Sequence, residues 1–390
     1  MNRSNSNSIS PVPWALIVLL GVLLAGLVLL RLFASEKAAS PADPAETATP
    51  KPTPDAAEQI LAGMPGEEKL CQLLVVHPEA LTGKTVTAMD DALKAALETY
   101  PVGGVLLDTN NMKGREQLTA LTAALAEHHL LITVDEEGGR VGRLMNTVGT
   151  TRLSSMFSYR ELGTDAAYQN AATIASDLKG CGFNTDFAPV ADVWSNMKNS
   201  VIGDRAYSND FDEAAELVAA AVRGFRDSGV ICCLKHFPGH GSTLTDSHEE
   251  AAVVDKTLEE LKDSDLKPFV SGIEAGADMV MVGHLTVPAV DEAPAAMSRA
   301  IITDLLREKL GFDGVVITDG LQMAGAGGGS DGEKAVKCLN AGCDLLLEVS
   351  DVPGTVAALK DALAGGALTQ ERVDESVLRV LRLKLANGIL

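Results

Sequence analysis

Eight short apolar runs, separated by longer stretches of helical periodicity, constrain what this chain can fold into. The runs are Cys71–Val76, Val102–Leu107, Leu130–Val134, Phe183–Phe187, Val230–Leu234, Met279–Val282, Gly314–Thr318 and Asp344–Leu347. Each is nearly continuous in apolar side chains, the pattern of a strand covered on both faces. Helical patterns lie between most of them, over Arg115–His128, Asp212–Asp227, Leu258–Ala275 and Ser298–Leu310. Gly182, Gly229, Gly276, Gly311 and Gly342 stand just ahead of strands, where a helix end favours glycine. Val352–Leu363 and Gln370–Leu385 supply the last helices. Eight strand–helix alternations predict an α/β fold, a (β/α)8 barrel of the TIM type, over residues 56–390.

Two segments of different character come first. Residues 1–34 hold a polar tip and then Pro11–Leu30, twenty residues without a charge. That length spans a bilayer as a helix, whereas the apolar region of a cleaved signal peptide runs to about 7–15 residues. We read a transmembrane anchor, with a cleaved signal as the alternative. Residues 35–55, rich in Ala, Pro and Thr, read as an extended tether. Arg3 precedes the apolar run while Arg31 and Lys37 come after it, so flanking charge does not orient it. A short N-terminal anchor before a long linker usually exports the domain behind it. The domain is therefore expected outside the cytoplasm, membrane-anchored and monomeric. The net charge of −21 argues against nucleic acid as a partner. The six cysteines form no CxxC pair and lie in or beside apolar runs. They read as buried thiols rather than a metal site, with a Cys338–Cys343 bridge left open.

In a barrel of this kind the site is built at the carboxyl ends of the strands. Those ends carry His77, Asp108, Asp135, Asp186, Lys235-His236, His284, Asp319 and Glu348. Five of the seven histidines (His77, His236, His240, His248 and His284) lie at or just beyond a strand end. The clustering points to an enzyme or a polar-ligand binder. Zinc hydrolases on barrels place an HxH pair after the first strand, but here that position holds only His77-Pro78. Pro238 and Gly239 separate His236 from His240, so the two do not share a helix face as HExxH ligands do. We expect no catalytic metal and no cofactor. The glycines at 325 and 327–329 come after the seventh strand, where barrels often bind phosphate, but a lone Gly-rich run reads first as a loop. Carboxylates, Arg and Lys gathered together suit a ligand with several hydroxyls.

The segments Asp135-Glu136-Glu137-Gly138-Gly139-Arg140-Val141-Gly142-Arg143, Lys235-His236-Phe237-Pro238-Gly239-His240-Gly241, Asp246-Ser247-His248 and Ile317-Thr318-Asp319-Gly320-Leu321-Gln322-Met323 carry a resemblance. Over Ala56–Leu390 the chain resembles the glycoside hydrolase family 3 β-N-acetylhexosaminidases, of the single-domain type that recycles peptidoglycan. Glu136 stands where that family usually has Gln. The resemblance implies that Asp319 is the nucleophile and that Asp246 and His248 form the acid/base dyad on the loop after the fifth strand. It implies sugar-binding roles for Asp135, Arg143, Arg205, Lys235 and His236, and retaining hydrolysis of terminal β-linked N-acetylglucosamine from muropeptides or related glycans. Taken alone, an Asp after a strand is also a common helix N-cap, and D-S-H is an ordinary surface turn. The rivals are a β-glucosidase or a phosphorylase on the same barrel, since a neutral His248 would admit phosphate, and a tethered sugar-binding sensor.

Overall fold

In the computed structural model, residues 55–243 and 252–390 are described. The expected anchor, the tether before Asp55, and Asp246 and His248 lie outside them. Among the described residues no helix is long and apolar enough to cross a membrane.

All eight expected strands form. They are β1 (Leu74–Val76), β2 (Gly104–Leu106), β3 (Leu131–Val134), β4 (Thr185–Asp186), β5 (Ile231–Phe237), β6 (Met279–Val282), β7 (Val315–Thr318) and β8 (Leu346–Leu347). They pair in parallel in the order β7-β6-β5-β4-β3-β2-β1-β8. The two ends meet in a parallel bridge, Ile317↔Leu345, which closes the barrel. Alternation along each strand sends one set of side chains inward, among them Val75, Leu106, Leu131, Ile231, Cys233, Met281, Ile317 and Leu347. The other set, including Leu74, Val76, Val105, Ile132, Cys232 and Val280, packs with the outer helices. Every residue of β1 to β8 is buried, so both faces needed apolar residues.

The boundaries moved where local structure competed. Cys71 ends the helix Gly66–Cys71 rather than opening β1. The expected helix over Leu258–Ala275 is two helices, Leu258–Lys262 and Lys267–Glu274. Between them the buried Asp265 takes a hydrogen bond from Lys256. Ala300–Lys309 winds as a π-helix. All five glycines ahead of the strands have positive φ. At Gly182 a Cβ would also come within 2.3 Å of Thr122 Oγ1. All six cysteines are buried and free, so Cys338 and Cys343 are not bridged.

The floor of the barrel is the end from which the strands start. Val380, Leu383 and Ile389 from the C-terminal segment pack against the inner cluster there. Just ahead of β8, the buried Asp344 accepts hydrogen bonds from Arg307, Arg372, Arg379, Ser376 Oγ and Val316 N. Lys384 is buried as well, and its Nζ donates to Gln72 Oε1 at 2.8 Å.

Candidate active site

The opposite end, the mouth, is built where apolar strands give way to charged residues. β5 is the longest strand and carries two of them. Its register with β6 shifts between Leu234 and Phe237, a bulge of the kind that re-aims side chains. Lys235 reaches β3: its Nζ contacts Asp135 and meets Glu137 Oε1 at 2.6 Å. Arg205 grips the same Glu137 with two bonds, Nε to Oε2 and Nη2 to Oε1, each 2.8 Å. Burial opposes charge on Glu137, but Arg205 and Lys235 outweigh it and hold its carboxyl well below the usual range. The same carboxylates raise Lys235 above the ordinary lysine value despite its burial. Asp135 remains partly exposed at the end of this chain of charges.

His236 turns to Asp192. Asp192 Oδ2 accepts from His236 Nδ1 at 2.7 Å and from its backbone N at 3.1 Å. Oδ1 accepts from His240 N at 2.6 Å. Burial opposes ionisation of Asp192, yet the two histidines keep its pKa lowered. An ionised carboxylate only accepts, so His236 carries its proton on Nδ1 and leaves Nε2 for the mouth. The buried His240 ring meets Thr243 Oγ1 at 2.6 Å through Nδ1.

Asp319 comes directly after β7 and is half-buried. Its backbone N donates to Val282 O, and among the described residues its Oδ1 accepts only Gly320 N, at 2.8 Å. Burial pushes its carboxyl up. His236, His284, the Gly320 N–H and Lys235 more than offset this and hold the pKa below the ordinary carboxylate value. An ionised carboxylate with free lone pairs on a rigid strand end is suited to nucleophilic attack. His284, fully buried, donates Nε2–H to Gly320 O at 3.0 Å. Burial lowers its pKa. Its Nδ1 lone pair finds no partner among the described residues.

Of the expected sugar-binding residues, Asp135, Lys235, Arg205 and His236 are thus gathered into one network or its immediate neighbour. Arg143 lies beside it, its Nε 3.2 Å from Asp108 Oδ1 at the end of β2. Lys235 and Arg205 are spent on Glu137 first, so their direct ligands are carboxylates. Asp186, expected at the mouth because it ends a strand, is instead fully buried and accepts Glu136 N at 3.0 Å. Burial pushes its pKa well above the carboxylate range. Glu136 is buried too, accepting Leu144 N and Met145 N, and burial drives its pKa up to about 7. Sequence reasoning missed Glu137 and Asp192 as organising groups. Glu137 was visible inside the DEEGGR segment, and Asp192 follows the apolar Phe187-Ala188-Pro189-Val190-Ala191, past the point where the strand was expected to end.

Residues 244–251, with Asp246 and His248, lie between two fixed points. Thr243 N donates to His240 O. Ala252 pairs with Leu285, the neighbour of His284. Among the described residues no group of His, Cys, Asp and Glu could hold a metal ion.

Known proteins share the sequence pattern and the fold. The profile of the glycosyl hydrolase family 3 N terminal domain matches residues 66–383. A β-hexosaminidase of Chromobacterium violaceum is 41% identical over 292 residues, which is 71% of this chain and 80% of that protein. The solved structure of a glycoside hydrolase family 3 β-N-acetylglucosaminidase from Paenibacillus sp. FPU-7 superposes with a TM-score of 0.78 at 35% identity. It covers 84% of this chain, which spans 63% of that longer one. A family 3 glycosyl hydrolase of Mycobacterium smegmatis gives a TM-score of 0.74 at 34% identity, covering 83% of this chain and 98% of its own.

Proposed function

This chain belongs to glycosyl hydrolase family 3 and is a glycosidase, and from that premise we propose that it is an exo-acting, retaining β-N-acetylglucosaminidase. The observation that carries the reading is Asp319: half-buried, held ionised by its neighbours, and accepting a single backbone N–H among the described residues. Asp319 attacks the anomeric carbon of a terminal β-linked N-acetylglucosamine. The bond from that carbon to the glycosidic oxygen breaks, and His248 gives the leaving oxygen its proton. Water, surrendering a proton to His248, then splits the glycosyl ester and frees Asp319. Asp246 holds one ring nitrogen of His248 and stabilises the charged ring. The Glu137-centred network positions Asp135 for ring hydroxyls, and Arg143 stands at the rim for a hydroxyl or carboxylate. Muropeptides are the natural substrate proposed here, with N-acetylglucosamine as the released sugar.

The test is release of p-nitrophenol from its β-N-acetylglucosaminide, with a muropeptide as second substrate. Asp319→Ala should lose on the order of 10⁴-fold or more in kcat, as removal of a nucleophile does. An active Asp319→Ala variant would remove the nucleophile assignment. Turnover of the β-glucoside with the acetamido sugar untouched would overturn the substrate. Sugar phosphate as the product in phosphate buffer would replace hydrolysis by phosphorolysis.

A further inference from the structure

Two residues at the mouth have no part in the mechanism above. His77 comes after β1 and Glu348 after β8, and these strands are neighbours through Leu74↔Leu346 and Val75↔Leu347. Glu348 has φ +56°, one of two non-glycine residues with positive φ among those described. That conformation disfavours a side chain, and such residues concentrate at binding and catalytic sites. Here it lays the carboxylate over Gly320: a Cβ built on Gly320 would lie 2.3 Å from Glu348 Oε2. Gly320 is the residue after Asp319 and the donor to its carboxylate. A side chain at position 320 would push the Glu348 carboxylate out of this place.

The two oxygens of Glu348 are in different situations. Oε1 faces His77 Nε2 at 3.4 Å. His77 Nδ1 lies 3.1 Å from Leu106 O. A carbonyl only accepts, so Nδ1 carries a proton. A neutral ring protonated there would turn a lone pair toward the carboxylate, whereas the imidazolium satisfies both neighbours. Burial works against that charge, but the hydrogen bond and charge of Glu348, with Glu79 and Asp108 nearby, raise the His77 pKa above its ordinary value. Oε2 accepts no hydrogen bond among the described residues. Both side chains are about a third exposed, at 32% and 29%. The result, among the described residues, is a carboxylate pinned at one oxygen and open at the other, beside the residue that would receive the sugar.

We infer that Glu348, oriented by His77, is a sugar-binding residue that accepts a hydrogen bond from one hydroxyl of the terminal pyranose. This rests on the glycosidase reading and extends it. It makes the β1–β8 edge a specificity-determining wall that favours a hydroxyl donor and repels an anionic substituent at that position. His77 is a positioning residue.

The experiment uses the full chain, Glu348→Ala and Glu348→Gln, with the p-nitrophenyl β-N-acetylglucosaminide and its 3-, 4- and 6-deoxy analogues. Glu348→Ala should lower kcat/KM about 10- to 100-fold on the parent sugar, a range set by losing one charge-assisted hydrogen bond. For one deoxy analogue the wild type and the variant should converge, because the missing hydroxyl has already removed the bond. Glu348→Gln, which keeps the shape, should fall between. The wild type's advantage over Glu348→Ala should shrink as pH rises through the His77 titration. A ratio constant from about pH 5 to about pH 9, a window that spans histidine titration, would remove His77 from the assignment. Unchanged kcat/KM in Glu348→Ala, or an equal loss on all the sugars, would overturn the inference while leaving the glycosidase reading intact. If the wild type turned over none of these glycosides, that reading would fall instead. Calorimetric binding of N-acetylglucosamine then decides the residue's role: weaker binding by Glu348→Ala supports it, and equal binding or none by either protein overturns it.

Discussion

The barrel buries charge at both ends and uses it in opposite ways. At the floor, Asp344 is saturated by three arginines, a hydroxyl and a backbone N–H. At the mouth, among the described residues, Asp319 accepts one backbone N–H, and Glu348 keeps an oxygen open. A saturated carboxylate can only hold structure. One held in place by its neighbours but left short of donors is ready for a ligand. What separates a site from a structural cluster is thus unmet hydrogen-bonding capacity at fixed geometry, not the presence of charge.

The widest split should come from removing one carboxylate at each end. Asp344→Ala strands three partly buried guanidinium groups and should cost about 3–5 kcal/mol of stability. Asp319→Ala should lower the melting temperature far less, because it strands no guanidinium group and gives up a single backbone N–H bond among the described residues. Thermal unfolding of the two variants checks this, and equal losses would erase the distinction drawn between the ends.

Lys384 sharpens the comparison from within the floor, because it lacks the saturation Asp344 enjoys. Its one hydrogen-bond partner among the described residues is the neutral Gln72, and burial pushes its pKa from 10.5 down to about 7. Between those values the unfolded chain binds a proton that the folded chain has released. Stability therefore rises with pH across that window and carries a constant penalty below it. Lys384→Met should gain about 2–3 kcal/mol at neutral pH and lose that slope. Denaturant titrations at several pH values test it. An unchanged slope would mean that water reaches the amine.

The smallest expected effect lies beneath the mouth, at Glu136. Its folded pKa is raised from 4.5 to about 7 by burial. The folded chain holds the proton more tightly, so this group's contribution falls as pH rises through that interval. Glu136→Gln should flatten the dependence. It also gives up one of two acceptors for Leu144 N and Met145 N, so the net gain at neutral pH should be only about 1 kcal/mol. Chemical denaturation at mildly acidic and neutral pH reads the difference. A loss of stability at both would show that the two backbone bonds outweigh the buried charge.

The eight strands were legible because burial on both faces left continuous apolar runs, and Met279–Val282 was placed to the residue. The strand ends were legible because charge arrives abruptly after those runs. Asp186 shows the limit. β4 pairs over two residues only, and the chain then rejoins the barrel at Val190↔Lys235, so the carboxylate of that segment that reaches His236 and His240 is Asp192. The contact between His77 and Glu348 was hidden for a different reason. It depends on the first and last strands meeting, which no local pattern encodes. Glu137 stood in view inside the DEEGGR segment, but its role did not, since the sequence showed a run of acids without showing that Arg205 and Lys235 would converge on one of them.

Both ends of the described domain are fastened at the floor. Asp55 accepts from Arg382 Nε and Nη2 at 3.0 and 2.7 Å, and Ile389 O lies 2.7 Å from His129 Nδ1. Arg382 shares a cavity with Asp278 and Gly314, at the starting ends of β6 and β7. A tag, bead or sensor chip coupled at either end of the described domain, at Asp55 or just after Ile389, would therefore hold the domain from beneath and turn the mouth outward. Immobilisation should leave access for bulky glycans unhindered, with no need to engineer an attachment point on the sides of the barrel.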